Sequence, residues 1–320
     1  MLSVVWHLGV DKLLVLRECR RGGKHRGAPT LAGQTAVARP VPKVEALVRR
    51  IDEISTLPHV ALQVVRIASD EHSSAADLKK VMENDVALSA RILRCVNSSA
   101  YALRVKITNL QHAVTYLGMK QIRNLAMTAS VADLFKKDEK IGQYRRLDLW
   151  RHLVSVGICA RLIAMRRKIG DFEDAFLAGL MHDIGIVLED QHVHDHFSRL
   201  IQALDAQKTL AETERAHLGF DHTILGEMIA EGWKFPEPVR AAIRHHHASV
   251  CYRGPSINVL RCVEVANLIC TLKGITSVGL KLVRMCEPAI HGLALTSDDL
   301  AVLAEDLNDE LKQNASLFTV

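Results

Sequence analysis

From residue 44 onwards, apolar positions recur at helical spacing, and runs that alternate apolar with polar residues are scarce. After the breaker Pro58, the residues Leu62, Val65, Ile67 and Ala68 fall close to a 3.6-residue period. Asp77-Leu78 reads as the opening of a second helix, and Asp85 as the cap of a third whose inner face is Leu88, Ile92, Leu93 and Val96. The stretch Ile122 to Phe135 reads as a fourth. A polar segment, KKDEKIGQYRR (136–146), then breaks the pattern. Beyond it, Asp148 begins a helix with His152, Val156, Cys159, Ile163 and Ala164 inward, and Asp174 begins one reading AFLAGLMHDIGIVL. Further helices are predicted over 222–232, over 237–247 after Pro236, over 256–272 and over 297–312. No self-similarity at a solenoid period interrupts this series. The pattern predicts an all-α protein of two helical lobes, residues 44–142 and 143–320, joined by the polar segment.

Composition sharpens the picture in three places. Aromatic residues make up only 4% of the chain while Ala, Leu, Val and Ile dominate, which disfavours a β-sandwich or barrel. Residues 1–50 hold ten Lys and Arg against three Asp and Glu, a local charge of +7, so the remainder sums to −2. Any affinity for nucleic acid is therefore confined to the arm 1–43, whose Arg, Gly and Pro without periodicity (17–42) read first as a solvated, disordered tail. The seven cysteines are scattered without a CxxC pair, which fits buried thiols in a reducing compartment better than disulfides or a zinc ribbon. No apolar run approaches the ~18–20 residues of a membrane span. The opening MLSVVWHLGVDKLLVL is broken by His7, Asp11 and Lys12 and lacks a cleavage signal, so a cytoplasmic location away from membranes is expected.

Two segments resemble a known family. In the first lobe the elements are Leu57-Pro58, Asp85 before Leu88, the stop Asn97-Ser98-Ser99, and Ala113 with Leu117-Gly118. In the second they are LWRHLVSV, AFLAGLMHDIGIV, GFDHTILGEMIAEGWKFPEPVRAAIRHHHAS and VANLIC, in that order. Together, over about residues 50–272, they resemble the HDOD domain, with Val86 standing where the family usually has proline. The resemblance implies a bacterial regulatory module similar in fold to the HD-domain metal-dependent phosphohydrolases, so function has to be judged at the site.

Matched motif by motif, the metal positions of the HD hydrolases fall on His152, His182, Asp183, His222, His246, His247 and Asn267. A lone interior histidine is ordinarily a hydrogen-bonded core group, but six metal-capable side chains in motif order point to a cation site. A neighbouring His and Asp on one helix would point about 100° apart and could grip a cation from two sides. His182 and Asp183 are also the candidate catalytic pair. Asp148, four residues before His152, reads either as an N-cap or as an extra carboxylate. His217 and His245 read as surface residues.

Three departures weigh against hydrolysis. Asn267 stands where the hydrolases carry their last aspartate, and its neutral carbonyl holds a hard cation less firmly. Ile186 stands where active relatives carry Lys in HDxGK, and no GYP follows the histidine pair. Two divalent ions among neutral imidazoles and the single Asp183 would leave roughly +3 in the pocket, so one ion or none is expected. Imidazole-rich ligation favours Zn, Fe, Mn or Ni. Two functions stay open: a non-catalytic signalling module that binds a protein partner or small ligand, and a metal-dependent phosphohydrolase of a nucleotide or other phosphate ester. Oligomeric state and pathway are not legible.

Overall fold

The structure is a computed structural model, and it describes residues 41–318 apart from 55–56, 99–105, 171, 206 and 284–285. Residues 1–40 of the basic arm and Ser99 of the Asn97 stop lie outside the described residues. The first lobe comprises α1 (Val44–Ile54), α2 (His59–Ser69), α3 (Ala75–Met82), α4 (Val86–Val96), α5 (Leu110–Leu117) and α6 (Met119–Val131), the last running into a 3-10 turn, Ala132–Phe135. The second comprises α7 (Arg146–Arg166), α8 (Phe172–Met181), α9 (Ile184–His192), α10 (His194–Gln202), α11 (Leu210–Leu218), α12 (His222–Gly232), α13 (Glu237–His245), α14 (Ile257–Leu272), α15 (Glu287–Gly292) and α16 (Ser297–Gln313).

Local chemistry sets several of these ends. Asp85 caps α4 as expected, accepting from the Leu88 amide at 2.9 Å. Asp77 does not open α3. It is the third helical residue of a capping box whose N-cap is Ser74, a motif repeated by Thr209 with Glu212 and Thr296 with Asp299. The buried face of α2 is Ala61, Val64, Val65 and Ala68, so Leu62 and Ile67 flank it instead of leading it. The polar linker is a small antiparallel hairpin, β1 (Lys140–Ile141) with β2 (Tyr144–Arg145), which leads straight into α7. Asp148 is therefore a first-turn residue, with Arg145 as N-cap. Its charge lies beside the Arg145 guanidinium.

The lobes share one hydrophobic core that runs from Leu47 to Leu317. In the first, α6 packs on α2 and α4; in the second, α7, α8 and α14 form the centre, with α13 on α8 and α9 on α12. Buried Arg123 of α6 ties the lobes together. Its Nη1 meets Asp174 Oδ1 at 2.7 Å, and its Nη2 donates to the Glu173 carbonyl at 3.2 Å, both at the start of α8. A buried guanidinium is tolerated only when paired in this way.

Candidate metal centre

Glycines bring the ligand-bearing helices together. A Cβ on Gly179 of α8 would lie 2.8 Å from the Gly157 Cα of α7, so these helices meet backbone to backbone. That close approach sets His152, five residues before Gly157, beside His182, three after Gly179. A Cβ on Gly185 would lie 2.0 Å from the His222 carbonyl oxygen, so only glycine lets the start of α9 rest on the start of α12.

His182 and Asp183 do not share a helix, contrary to the sequence reading. The chain turns at these two residues between α8 and α9, and the apolar run hides the break because α8 and α9 are buried nearly all round. Asp183 occupies the N-cap position of α9 without capping it, which leaves both carboxylate oxygens uncommitted. His246 and His247 likewise follow the end of α13 in a turn instead of lying inside it.

Asp183 is the hub. Its Oδ1 lies 3.0 Å from His246 Nε2 and 3.4 Å from His222 Nε2; its Oδ2 lies 3.2 Å from His182 Nε2 and 3.9 Å from His152 Nε2. His247 Nε2 is 3.0 Å from His222 Nε2. The ligand atoms form two groups that share Asp183: His222, His246 and His247 on one side, His152 and His182 on the other. All except the half-buried His247 are at most 1% exposed.

The outer ring nitrogens fix the tautomers. His152 Nδ1 faces the Ile275 carbonyl at 2.7 Å, His182 Nδ1 the Gly179 carbonyl at 2.7 Å, and His246 Nδ1 the Ala242 carbonyl at 3.0 Å. A carbonyl only accepts, so each Nδ1 carries hydrogen and donates, and each Nε2 turns a lone pair towards Asp183. Burial above all holds His152 (down to about 4), His246 and His247 neutral. Acceptors therefore face acceptors. The Nε2 atoms of His152, His182 and His246 and both oxygens of Asp183 are buried without a hydrogen-bond partner among the described residues. Such a cluster is costly unless a cation sits among these atoms. Ligands about 2.1 Å from a tetrahedral ion lie roughly 3.4 Å apart, close to the spacings observed. The donor set fits a divalent transition ion.

Glu214, on α11, escaped the sequence reading. It is fully buried, and its Oε2 accepts from both the backbone amide of His222 (3.0 Å) and His222 Nδ1 (2.6 Å). Burial opposes a charge on His222, but Glu214 outweighs it and lifts the imidazole to about 9. Behind Glu214, burial and then the Glu214 charge push the Glu189 carboxyl well above its ordinary value. The nearest sequence hint was a glutamate eight residues before His222, on a helix that otherwise looks solvated.

Asn267 lies on α14, which packs on both α7 and α8. It is buried; its Oδ1 accepts from the Thr271 hydroxyl at 3.3 Å, and its Nδ2 has no partner among the described residues. Ile186 is fully buried in the core. His217 is exposed, and His245 is half-buried with its ring 5.5 Å from that of Tyr252. Asp148 is in neither ligand group.

The HDOD domain family matches residues 54–249, more than half of the chain. The chain belongs to the HDOD family. Relatives are distant: an uncharacterised protein of Treponema pallidum (strain Nichols) is 25% identical over 205 residues, 62% of this chain and 38% of that protein. The cyclic di-GMP phosphodiesterase CdgJ of Vibrio cholerae is 24% identical over 155 residues, 48% of this chain and 34% of that one. The chain thus spans little more than a third of these relatives' length. A solved HDOD domain protein of unknown function from Geobacter sulfurreducens superposes with a TM-score of 0.66 at 22% identity, covering 86% of this chain and 98% of that one. That likeness gives the HDOD fold. No described helix is long and apolar enough to cross a membrane.

Proposed function

We propose that this HDOD protein is a bacterial signalling module whose buried His/Asp centre holds one divalent transition ion, Zn, Fe, Mn or Ni, and that it acts through a protein partner or small ligand without turning over a phosphate ester. The burial of the donor set carries this reading. The ligands other than His247 are sealed from solvent, so a substrate phosphate would have to displace core packing to reach them. Asp183, His222, His246 and His247 would hold the ion, with Glu214 orienting His222. When bound, the ion supplies Lewis acidity and joins chain segments that lie far apart in sequence. Around it, the carbonyls of Ile275, Gly179 and Ala242 fix ring orientation. Ile186 offers hydrocarbon where a phosphate would need a cation, and a lysine there would itself be buried. A cytoplasmic location fits this reading.

One observation favours the phosphohydrolase. Asp183 divides its two oxygens between two histidine groups, an arrangement able to bridge two ions. Elemental analysis of the purified protein, followed by assay on bis(p-nitrophenyl) phosphate with added Mn, Fe or Zn, decides between them. The module reading expects about one ion per chain and no turnover. Metal-dependent turnover lost in His182→Ala would establish the hydrolase instead.

A further inference from the structure

The His/Asp centre leaves unexplained a cleft of about 740 Å3 in the first lobe, between α4, the end of α6 and the C-terminal turn Ala315–Phe318. We infer that this cleft binds a nucleotide-sized organic anion, a flat ring carrying two or three phosphates.

The charge balance comes first. The cleft is lined by Arg91, Arg94 and Lys136 against one carboxylate, Asp133, for a net +2. Asp133 is already engaged: Arg91 donates to both its oxygens, at 2.8 and 3.2 Å, and Lys136 lies 2.9 Å away. Arg94 is exposed and makes no ion pair among the described residues. Two positive charges are thus left for an anion, and guanidinium groups suit phosphate oxygens by their paired N–H geometry. The walls come second. Ala87 and Ala90 of α4 line the cleft together with Ala129 and Ala132, and these short side chains leave space that longer ones would fill. A volume in the range of about 300–1,000 Å3, apolar walls and a few charged groups at one side are the usual make-up of a small-molecule site. A flat ring between the walls would also lie within stacking reach of a guanidinium.

The cleft's closing edge touches the metal lobe. Phe318, in the C-terminal turn beside cleft residues Ser316 and Leu317, accepts from Trp150 Nε1 at 3.3 Å through its carbonyl, and Trp150 lies two residues before His152 on α7.

Calorimetric titration with ADP tests the inference, with inorganic pyrophosphate and adenosine as separate probes. ADP is expected to bind saturably and each fragment at least tenfold more weakly. Arg94→Glu, at an exposed position, should weaken ADP at least tenfold, and Ala90→Trp should abolish binding by filling the cleft, with helicity and thermal midpoint checked in both. The double variant His182→Ala/Asp183→Ala should bind ADP unchanged, so failure at the metal centre and failure here are separable. No saturable ADP binding to the intact protein up to millimolar concentration would overturn the inference. So would binding that survives both cleft variants or disappears in the double variant.

Discussion

The two sides of Asp183 use the same imidazoles but are supported differently. On the Oδ2 side, His152 and His182 donate to backbone carbonyls, which orient the rings and add no charge. On the Oδ1 side, His222 donates to a carboxylate, and that residue's second contact, to the His222 amide, pins ring and backbone together. A ligating imidazole backed by a carboxylate is a stronger base than one backed by a carbonyl. The His222 side also has a third imidazole, His247. The comparison teaches that a chain with one bridging carboxylate can still be biased towards one ion position, by placing its second negative charge behind one ligand. It also revises the electrostatics of the site, because Glu214 brings the residual charge of a two-ion site from roughly +3 to roughly +2, still unfavourable in a buried pocket.

The largest expected effect comes from removing the hub. Asp183→Ala takes a ligand from both sides, so bound metal should fall from about one per chain to none by elemental analysis, and a chelator should no longer lower the thermal midpoint. In the unmodified protein the chelator should lower it by about 5 °C or more, since an ion that binds only the folded state stabilises that state. A second firmly bound ion in the unmodified protein would break the argument for one preferred position.

The asymmetry itself is tested next. His222→Ala should lose the ion, whereas His152→Ala should keep it with affinity reduced about tenfold or less. Equal loss in both would mean that the two sides are equivalent. Glu214→Gln, which keeps the shape and removes the charge, should weaken metal binding by about 10–100-fold, as measured by competition with a chromophoric chelator.

How much of this was legible in the sequence follows from the same asymmetry. His152, His182, Asp183, His222, His246 and His247 were found because motif order and residue type survive in one dimension, and the structure brings all six together. Glu214 was not found, because a glutamate in LAETERAHL looks like part of a solvated face, and only the packing of α11 shows that it is buried. The break at His182-Asp183 and the helix end before His246 were also hidden. Helices buried on every side, such as α8, carry no periodic boundary signal, so the apolar run through His182-Asp183 reads as one element. The cap at Asp85, by contrast, was legible from the local pattern, whereas at α3 the reading began the helix at Asp77, three residues after its true N-cap Ser74.

A smaller effect is expected at Asn267. Asn267→Asp adds a carboxylate on α14 at almost constant volume, so the ion should bind more tightly, by about tenfold, if the side chain reaches the centre. A fall in affinity would show that the new charge only burdens the core. Phosphodiesterase activity should not appear, since the change leaves Ile186 in place.

The smallest effect concerns Glu189, behind Glu214 and also influenced by the Asp221 charge. Its carboxyl is held protonated because burial and then the neighbouring negative charges raise its folded value well above that of the unfolded chain. The sign follows from linkage: the folded state binds the extra proton, so this contribution is fully present below the unfolded value, near 4.5, and is lost as pH rises through the raised folded value. Glu189→Gln keeps a neutral, hydrogen-bonding side chain at every pH. The variant should therefore match the unmodified metal-free protein at pH 5 and exceed its thermal midpoint by about 2 °C at pH 8. The Gln has no proton to lose, so its midpoint should decline less between these two values. A parallel decline in both proteins would mean that Glu189 is not the group releasing the proton, and that Glu214 backs His222 without a protonated neighbour to share its charge.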